Sequence, residues 1–167
     1  MFIYSVRAST IKFFALLLLS ALAMLLLLSI GGQTAVYASV DGIEVNYGGI
    51  KTHEDRVAFL RSQGLEINEA PLVEEAYTLP DNFDRIISGY NEIQRAQGLE
   101  LTKYRGRRIM HYAYLVTNFD YEGEVHANML IYRGRIIALD ISSADPSGFV
   151  LPVVGLDKAK LKGAGEK

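Results

Sequence analysis

No cysteine occurs anywhere in the 167 residues. That absence excludes disulfides, thiol catalysis, cysteine-ligated metals and a lipoprotein attachment site together. Tryptophan is also missing, proline occurs four times and histidine three. The imidazoles of His53, His111 and His126 form no HxxxH pair and stand beside no carboxylate cluster, so the chain carries no zinc signature. No serine sits in a nucleophile-elbow setting, and no glycine-rich loop joins a strand to a helix in phosphate-cradling form. No cofactor is expected.

Positive charge is missing from one long stretch: between Lys12 and Lys51 there is no Lys or Arg. The run Phe13 to Ile30, FFALLLLSALAMLLLLSI, lies inside it and carries no charge at all. At about 1.5 Å per residue it is long enough to cross a bilayer core of roughly 30 Å. Arg7 and Lys12 precede it, which orients the N-terminus to the cytoplasm and the remainder outside. The apolar run exceeds the roughly 7–15 residues of an ordinary signal h-region, which favours a retained single-pass membrane anchor. The alternative is secretion after cleavage following Ala38, since Val36-Tyr37-Ala38 has small-x-small character. Of 17 Lys and Arg in all, 15 lie beyond Lys12, against 19 Asp and Glu. That acidic balance gives no reason to expect nucleic acid.

The expected organisation is an anchor or signal segment over 1–38, a spacer over 39–51, a folded domain over 52–156 and a disordered tail over 157–167. The centre of the domain is Arg107 to Ser142, which reads as a three-stranded meander. Arg107 to Thr117 and Val125 to Tyr132 are rich in β-branched and aromatic residues. Asp120 to Gly123 supplies the first turn, and Arg133-Gly134 a two-residue connection of type I′. Even loop lengths put Tyr112, Tyr114, Val116, Val125, Ala127, Met129, Ile131, Ile136 and Ala138 on one apolar face. The other face carries His111, Ala113, Leu115, His126, Asn128, Leu130, Ile137, Leu139 and Ile141. A one-residue error in either loop would exchange the faces of a strand.

Thr52 opens a first helix, with Glu54 and Asp55 at the positive end of its dipole and Gly64 as its terminator. Val73 to Leu79 reads as an edge strand guarded by Glu74 and Glu75. The best helix begins near Pro80-Asp81-Asn82. Its Phe83, Ile86, Ile87, Tyr90 and Ile93 follow the spacing of an amphipathic face, and Gly98 closes it. This helix is expected to cover the apolar face of the meander. Phe149 to Leu156 can return as an edge strand interrupted by Pro152. The fold class is α+β: an N-terminal membrane helix, then two amphipathic helices packed on an antiparallel sheet whose core is the meander.

Several of these segments carry a resemblance. They are Glu54-Asp55-Arg56-Val57-Ala58-Phe59-Leu60 with Gly64, Leu79-Pro80 with Phe83, and Tyr90-Asn91, Gln94 and Gln97-Gly98. Tyr104-Arg105-Gly106, Val116-Thr117-Asn118, Ala127-Asn128, Asp140 and Gly148-Phe149 continue it. In these the chain resembles the DUF4830 family, exported bacterial domains of unknown function, from His53 to Phe149. The resemblance implies an α+β domain behind a membrane segment and implies no activity. The family tends to have Gly-Gly before the aspartate and Cys two residues after it, where this chain has Ala138-Leu139 and Ser142; a thiol-based role is closed to it.

Tyr90, Asn91 and Gln94 share the second helix, while Asn118, Asn128 and Asp140 belong to the sheet. Amides beside aromatics can line a ligand groove, and these six are the candidate binding residues. The same amides equally suit a structural role, satisfying backbone groups at a helix–sheet junction. Lys103, Arg105, Arg107 and Arg108 are four cations in six residues, either a solvated turn or a contact for anionic lipid headgroups or wall polymers. The expected function is a non-catalytic binding module of the cell envelope. It would be tethered through residues 13–30 and engage an envelope protein or an anionic wall or lipid polymer. The runner-up is a small envelope enzyme, hydrolase or metal-dependent, using His126 and Asp140. A third reading is an inhibitory or structural module acting on an envelope protein.

Overall fold

The computed structural model describes residues 37–40 and 43–162. The apolar run 13–30 and residues 163–167 lie outside them. No helix among the described residues is long and apolar enough to cross a membrane. Strands β1 (Tyr37–Val40) and β2 (Ile43–Asn46) form a separate antiparallel pair. Helix α1 (His53–Ser62) and strand β3 (Val73–Thr78) follow, then helix α2 (Arg85–Arg95). Strands β4 (Arg108–Val116), β5 (Val125–Tyr132), β6 (Arg135–Ser143) and β7 (Val150–Leu151) complete a five-stranded antiparallel sheet in the order β3-β4-β5-β6-β7.

The helix ends follow from local chemistry. Thr52 and Asp55 form a capping box, each side chain serving the other's backbone amide. This satisfies two donors that the first turn leaves without partners. Gly64 and Gly98 sit at φ +88° and +73° beyond the two helix ends, where L side chains are strained. The next residues, Leu65 and Leu99, return their amides to Leu60 and Gln94 and are buried. Helix α2 starts later than its sequence suggests, because Asp84, not Asp81 or Asn82, caps the amide of Ile87.

Pairing of β4 with β5 puts Tyr112, Tyr114 and Val116 beside Met129, Ala127 and Val125, as the alternation requires. Between β5 and β6 the register slips: Ile131 faces Ile136, but Leu130 faces Ala138. Ile137 is the extra residue of a β-bulge, so every side chain after it changes sides. Leu139 and Ile141 therefore join the apolar face, while Ala138, Asp140 and Ser142 move to the face of Asn128. This corrects the assignment of Ala138 to one face and of Leu139 and Ile141 to the other.

The layers also differ from the sequence expectation. The apolar face is covered by α1 through Val57, Phe59 and Leu60, helped by Val45, Tyr47, Ile50, Val153, Val154 and Leu161. Helix α2 lies on the mixed face, where Tyr90 and Phe83 pack against Leu79, Leu101, Ile109, Leu130, Ile137 and Ala138. Ile86 is 80% exposed and Ile87 half-buried, so the helix turns Tyr90, Asn91 and Gln94 inward instead. Ile86→Asp is expected to change stability by less than about 0.5 kcal/mol, as surface substitutions do; a loss of several degrees in melting temperature would contradict this burial.

The stretch expected as a spacer packs on the sheet from Val45 onward. Past β2, Tyr47 accepts from Ile136, Ile50 donates to Gly134, and Gly48 bridges to Arg135, so the segment runs along β6. The expected tail is likewise ordered through Lys162. Leu161 is buried and bridges to Phe119, and Lys162 donates to the Asn118 carbonyl. Apolar Val45, Tyr47, Ile50 and Leu161 explain both corrections, since leaving them in water would forgo burial of roughly 1.5–3 kcal/mol for a large side chain.

Candidate functional site

The six candidate binding residues divide into two groups. Tyr90, Asn128 and Asp140 come together on the mixed face: Tyr90 Oη donates to Asp140 Oδ2 at 2.6 Å and Asn128 Nδ2 to Oδ1 at 2.9 Å. Asn128 Nδ2 also reaches Ser142 Oγ, and its Oδ1 lies 3.3 Å from His111 Nε2. Asp140 is only 3% exposed, and burial raises its carboxyl pKa against the lowering effect of Tyr90, Asn128 and His111. Burial and the nearby Asp140 push the Tyr90 hydroxyl well above its ordinary range. The carboxylate thus meets a phenol and an amide rather than an arginine, and both its oxygens are engaged. It does not cap the 145–148 turn, whose amide at Ser147 is taken by Asp145.

Asn91, Gln94 and Asn118 serve the backbone. Asn91 accepts from the Leu101 amide and donates to Glu100. Glu100 is held down to about 2 by hydrogen bonds from Thr102, Arg95 and Asn91. Asn118 accepts from the Glu66 amide and donates to the Gly64 carbonyl, tying β4 to the end of α1. Gln94 Oε1 takes the Leu139 amide, and neighbouring Gln97 donates to the Leu139 carbonyl at 2.7 Å. The two glutamines therefore occupy the outer edge of β6 where no strand pairs with it.

His126 makes no hydrogen bond to Asp140. It stands across from Ser142, and its Nε2 lies 3.5 Å from Glu124 Oε2. Among the described residues no three His, Asp or Glu side chains converge in a way that could hold a metal ion. A hollow of about 550 Å³ between Glu44–Asn46, α1 and Val153–Lys158 is lined by mixed side chains without a cluster of like charge.

A different surface concentrates charge. At the Arg108 end of the sheet, the apolar face emerges from beneath α1 and two adjoining hollows open, of about 500 and 270 Å³. They share Met110, Ile131 and Arg133, and are further lined by Arg107 and Arg108 in one, Lys51 and Arg56 in the other. Five cations thus border one groove, and no Asp or Glu is among its lining residues. No side-chain nitrogen of the five has a carboxylate within 4.0 Å among the described residues. Asp55, at the start of α1, is occupied by the amides of Lys51 and Thr52, and Glu74, paired with Tyr112, is exposed on the same face of the sheet but makes no ion pair with Arg56.

Arg56 is the unusual member, at 6% exposed. Its guanidinium stacks on Tyr112 at 3.7 Å from the ring centroid, and its Nε donates to Tyr114 Oη at 2.8 Å. Tyr114 Oη lies 3.4 Å from His53 Nδ1 in turn. The two terminal nitrogens find no acceptor among the described residues. They are not among the enclosed polar atoms lacking a partner, so they remain accessible although the residue as a whole is buried. Arg133 has a second peculiarity: it holds φ +49° in the type I′ turn, a position that favours Asn, Asp or Gly. A residue other than these in that region costs of order 1 kcal/mol or more.

The charge run at 103–108 only partly anticipates this groove. Arg107 and Arg108 line it, Arg105 stacks over Phe83, and Lys103 borders a separate small hollow with Glu100 and Arg135. Lys51, Arg56 and Arg133 arrive from distant segments, and their convergence has no local signal. No family model matches the chain, and no curated protein or solved structure does either.

Proposed function

We propose that this chain is a membrane-tethered, extracytoplasmic binding domain of the cell envelope that engages an anionic polymer without catalysing a reaction. The observation that carries this reading is the groove bordered by Lys51, Arg56, Arg107, Arg108 and Arg133 with no acidic side chain in its lining. The chain as a whole has net charge −2, so this concentration of positive charge is local rather than compositional. A basic channel on an acidic protein attracts a polyanion to one surface while repelling it from the rest. Two joined hollows suit an extended chain better than a compact partner. The apolar run 13–30 would hold the groove outside the membrane, with Arg7 and Lys12 on the cytoplasmic side.

The enzyme reading draws nothing from His126 and Asp140, which make no hydrogen bond to each other while Asp140 is engaged by Tyr90 and Asn128. An inhibitory or structural module would use the outer edge of β3, which has no strand beside it among the described residues. The test is retention of the full chain, embedded in uncharged nanodiscs, on isolated cell-wall sacculi. Retention is expected to fall when phosphodiester polymers are stripped chemically, and to fall with salt across the range where the Debye length shrinks from about 10 to 3 Å. Retention undiminished by stripping would overturn the reading.

A further inference from the structure

We infer that the inner hollow of this groove, between Lys51, Arg56 and Arg133, is a discrete seat for one phosphate group. This rests on reading the groove as a ligand surface and goes further by fixing the chemistry of the ligand and the residue that recognises it. Arg56 is held from two sides: Tyr112 lies under the guanidinium plane and Tyr114 accepts from Nε. The side that remains carries the two terminal nitrogens, and Arg56 lines the hollow of about 270 Å³. A guanidinium fixed in this way presents paired donors at the spacing of two oxyanion oxygens, whereas an ammonium is only a point charge. Lys51 and Arg133 add two exposed cations on the rim, enough to balance a dianionic phosphate.

Two further features fit a ligand better than a purely structural role. Tyr112 and Tyr114 engage the plane and the Nε of Arg56 but give it no negative charge, so its terminal nitrogens stay open to the hollow. Arg133 occupies a left-handed turn position that a less strained residue would fill, and that position sets its side chain at the rim of both hollows. Apolar Met110 and Ile131 form part of the wall, which lowers the local dielectric and strengthens charge–charge attraction within the hollow.

The test uses the full chain purified in a maltoside detergent, which carries no phosphate. Titration calorimetry with inorganic phosphate and with glycerol phosphate is expected to show saturable one-to-one binding, with acetate much weaker. Arg56→Gln should weaken phosphate binding by about 10- to 100-fold, the equivalent of one charge-assisted hydrogen-bond pair. Arg105→Gln, outside the groove, should leave binding within about twofold, as expected for a screened surface charge. If Arg56→Gln does not fold, the exposed pair Lys51→Gln and Arg133→Gln serves instead, with the same direction expected.

A parallel arm places the chain in phosphatidylglycerol or phosphatidylcholine nanodiscs. Arg56-dependent binding of the soluble phosphates supports the seat and assigns it to a soluble or polymer phosphate. Arg56-dependent protection from heat seen only with phosphatidylglycerol supports the seat and assigns it to a lipid headgroup. Phosphate binding that is equally strong in Arg56→Gln, or no saturable binding in any arm, would overturn it. Sacculus retention could persist in that last case, so the seat can fail while the broader polymer reading stands.

Discussion

Gln97→Leu is expected to cost at least about 3 kcal/mol of folding stability, a large part of the roughly 5–15 kcal/mol that holds a domain of this size together. Gln97 is 0% exposed and its side chain joins three backbone groups. Its Nε2 donates to the Leu139 carbonyl, and its Oε1 accepts from the amides of Val153 and Val154 at 2.9 and 3.0 Å. Leucine fills similar space but would leave two amides and a carbonyl buried without partners, each costing about 1–3 kcal/mol. The backbone carbonyl of Gln97 would still accept from Tyr47 Oη, so the β2 end of the chain keeps its attachment. Denaturant unfolding with an unchanged slope and a lower midpoint would show the loss. A cost below about 1 kcal/mol would mean that water replaces the glutamine, contrary to its burial.

Asp140 gives the second large effect, and its size depends on the substitution. Asp140→Ala strands the Tyr90 hydroxyl and one bond of the Asn128 amide and leaves a gap, for an expected loss of about 2–4 kcal/mol. Asp140→Asn should be far milder, within about 1 kcal/mol at neutral pH. An asparagine oxygen can still accept from Asn128, its NH₂ can donate to Tyr90 Oη, and the buried charge disappears. Had Asp140 been paired with an arginine from the 105–108 turn, neutralising it would instead cost about 3–5 kcal/mol.

The two residues should also differ in pH dependence. The folded pKa of Asp140 lies above its ordinary 3.8, so the native state binds the proton more tightly than the unfolded chain. Between those two values stability falls as pH rises, and above the folded value the burial penalty is fully present. Wild type should therefore gain on the Asn variant as pH drops through that window. Glu100, depressed from 4.5 to about 2, works in the opposite direction: its stabilising effect is present above 4.5 and lost as pH falls toward 2. It is common to both proteins and cancels in the difference. A wild-type minus Asn difference that stays flat with pH would contradict the burial of the carboxylate.

These features differ in how far the sequence revealed them. The strands were legible because Arg107 to Ser142 is dense in β-branched and aromatic residues, and the β3 edge because its glutamates mark it. The I′ turn was legible from Gly134. The bulge was not, since Ile137 is as apolar as its neighbours and no composition marks which of them is surplus. Its consequence, Asp140 crossing to the side of Tyr90 and Asn128, was invisible for the same reason. The exchange of helix roles has another cause. The regular stripe of α2 misplaces its buried side, since Asn91 and Gln94 turn inward while Ile86 is exposed, and α1 has a weak stripe because one of its inward residues, Arg56, is a cation lying on an aromatic ring. Gln94 is legible as an amide that lines a groove or serves the backbone of a helix–sheet junction, but which backbone it serves is not. Only the missing stretch of β6 pairing gives it and Gln97 their purpose.

That closed edge limits how such molecules can add to one another. Along β6, the Tyr47–Ile50 segment, the two glutamines and the two-residue β7 followed by Pro152 take up the outward backbone groups in turn. Among the described residues the five-stranded sheet is left with one long open side, at β3. Edge-to-edge addition through that sheet therefore has a valence of one: two copies meeting at β3 would exhaust each other's open positions, and a third would find no place to join. Crowding these domains can drive pairs by this route, but not fibrils.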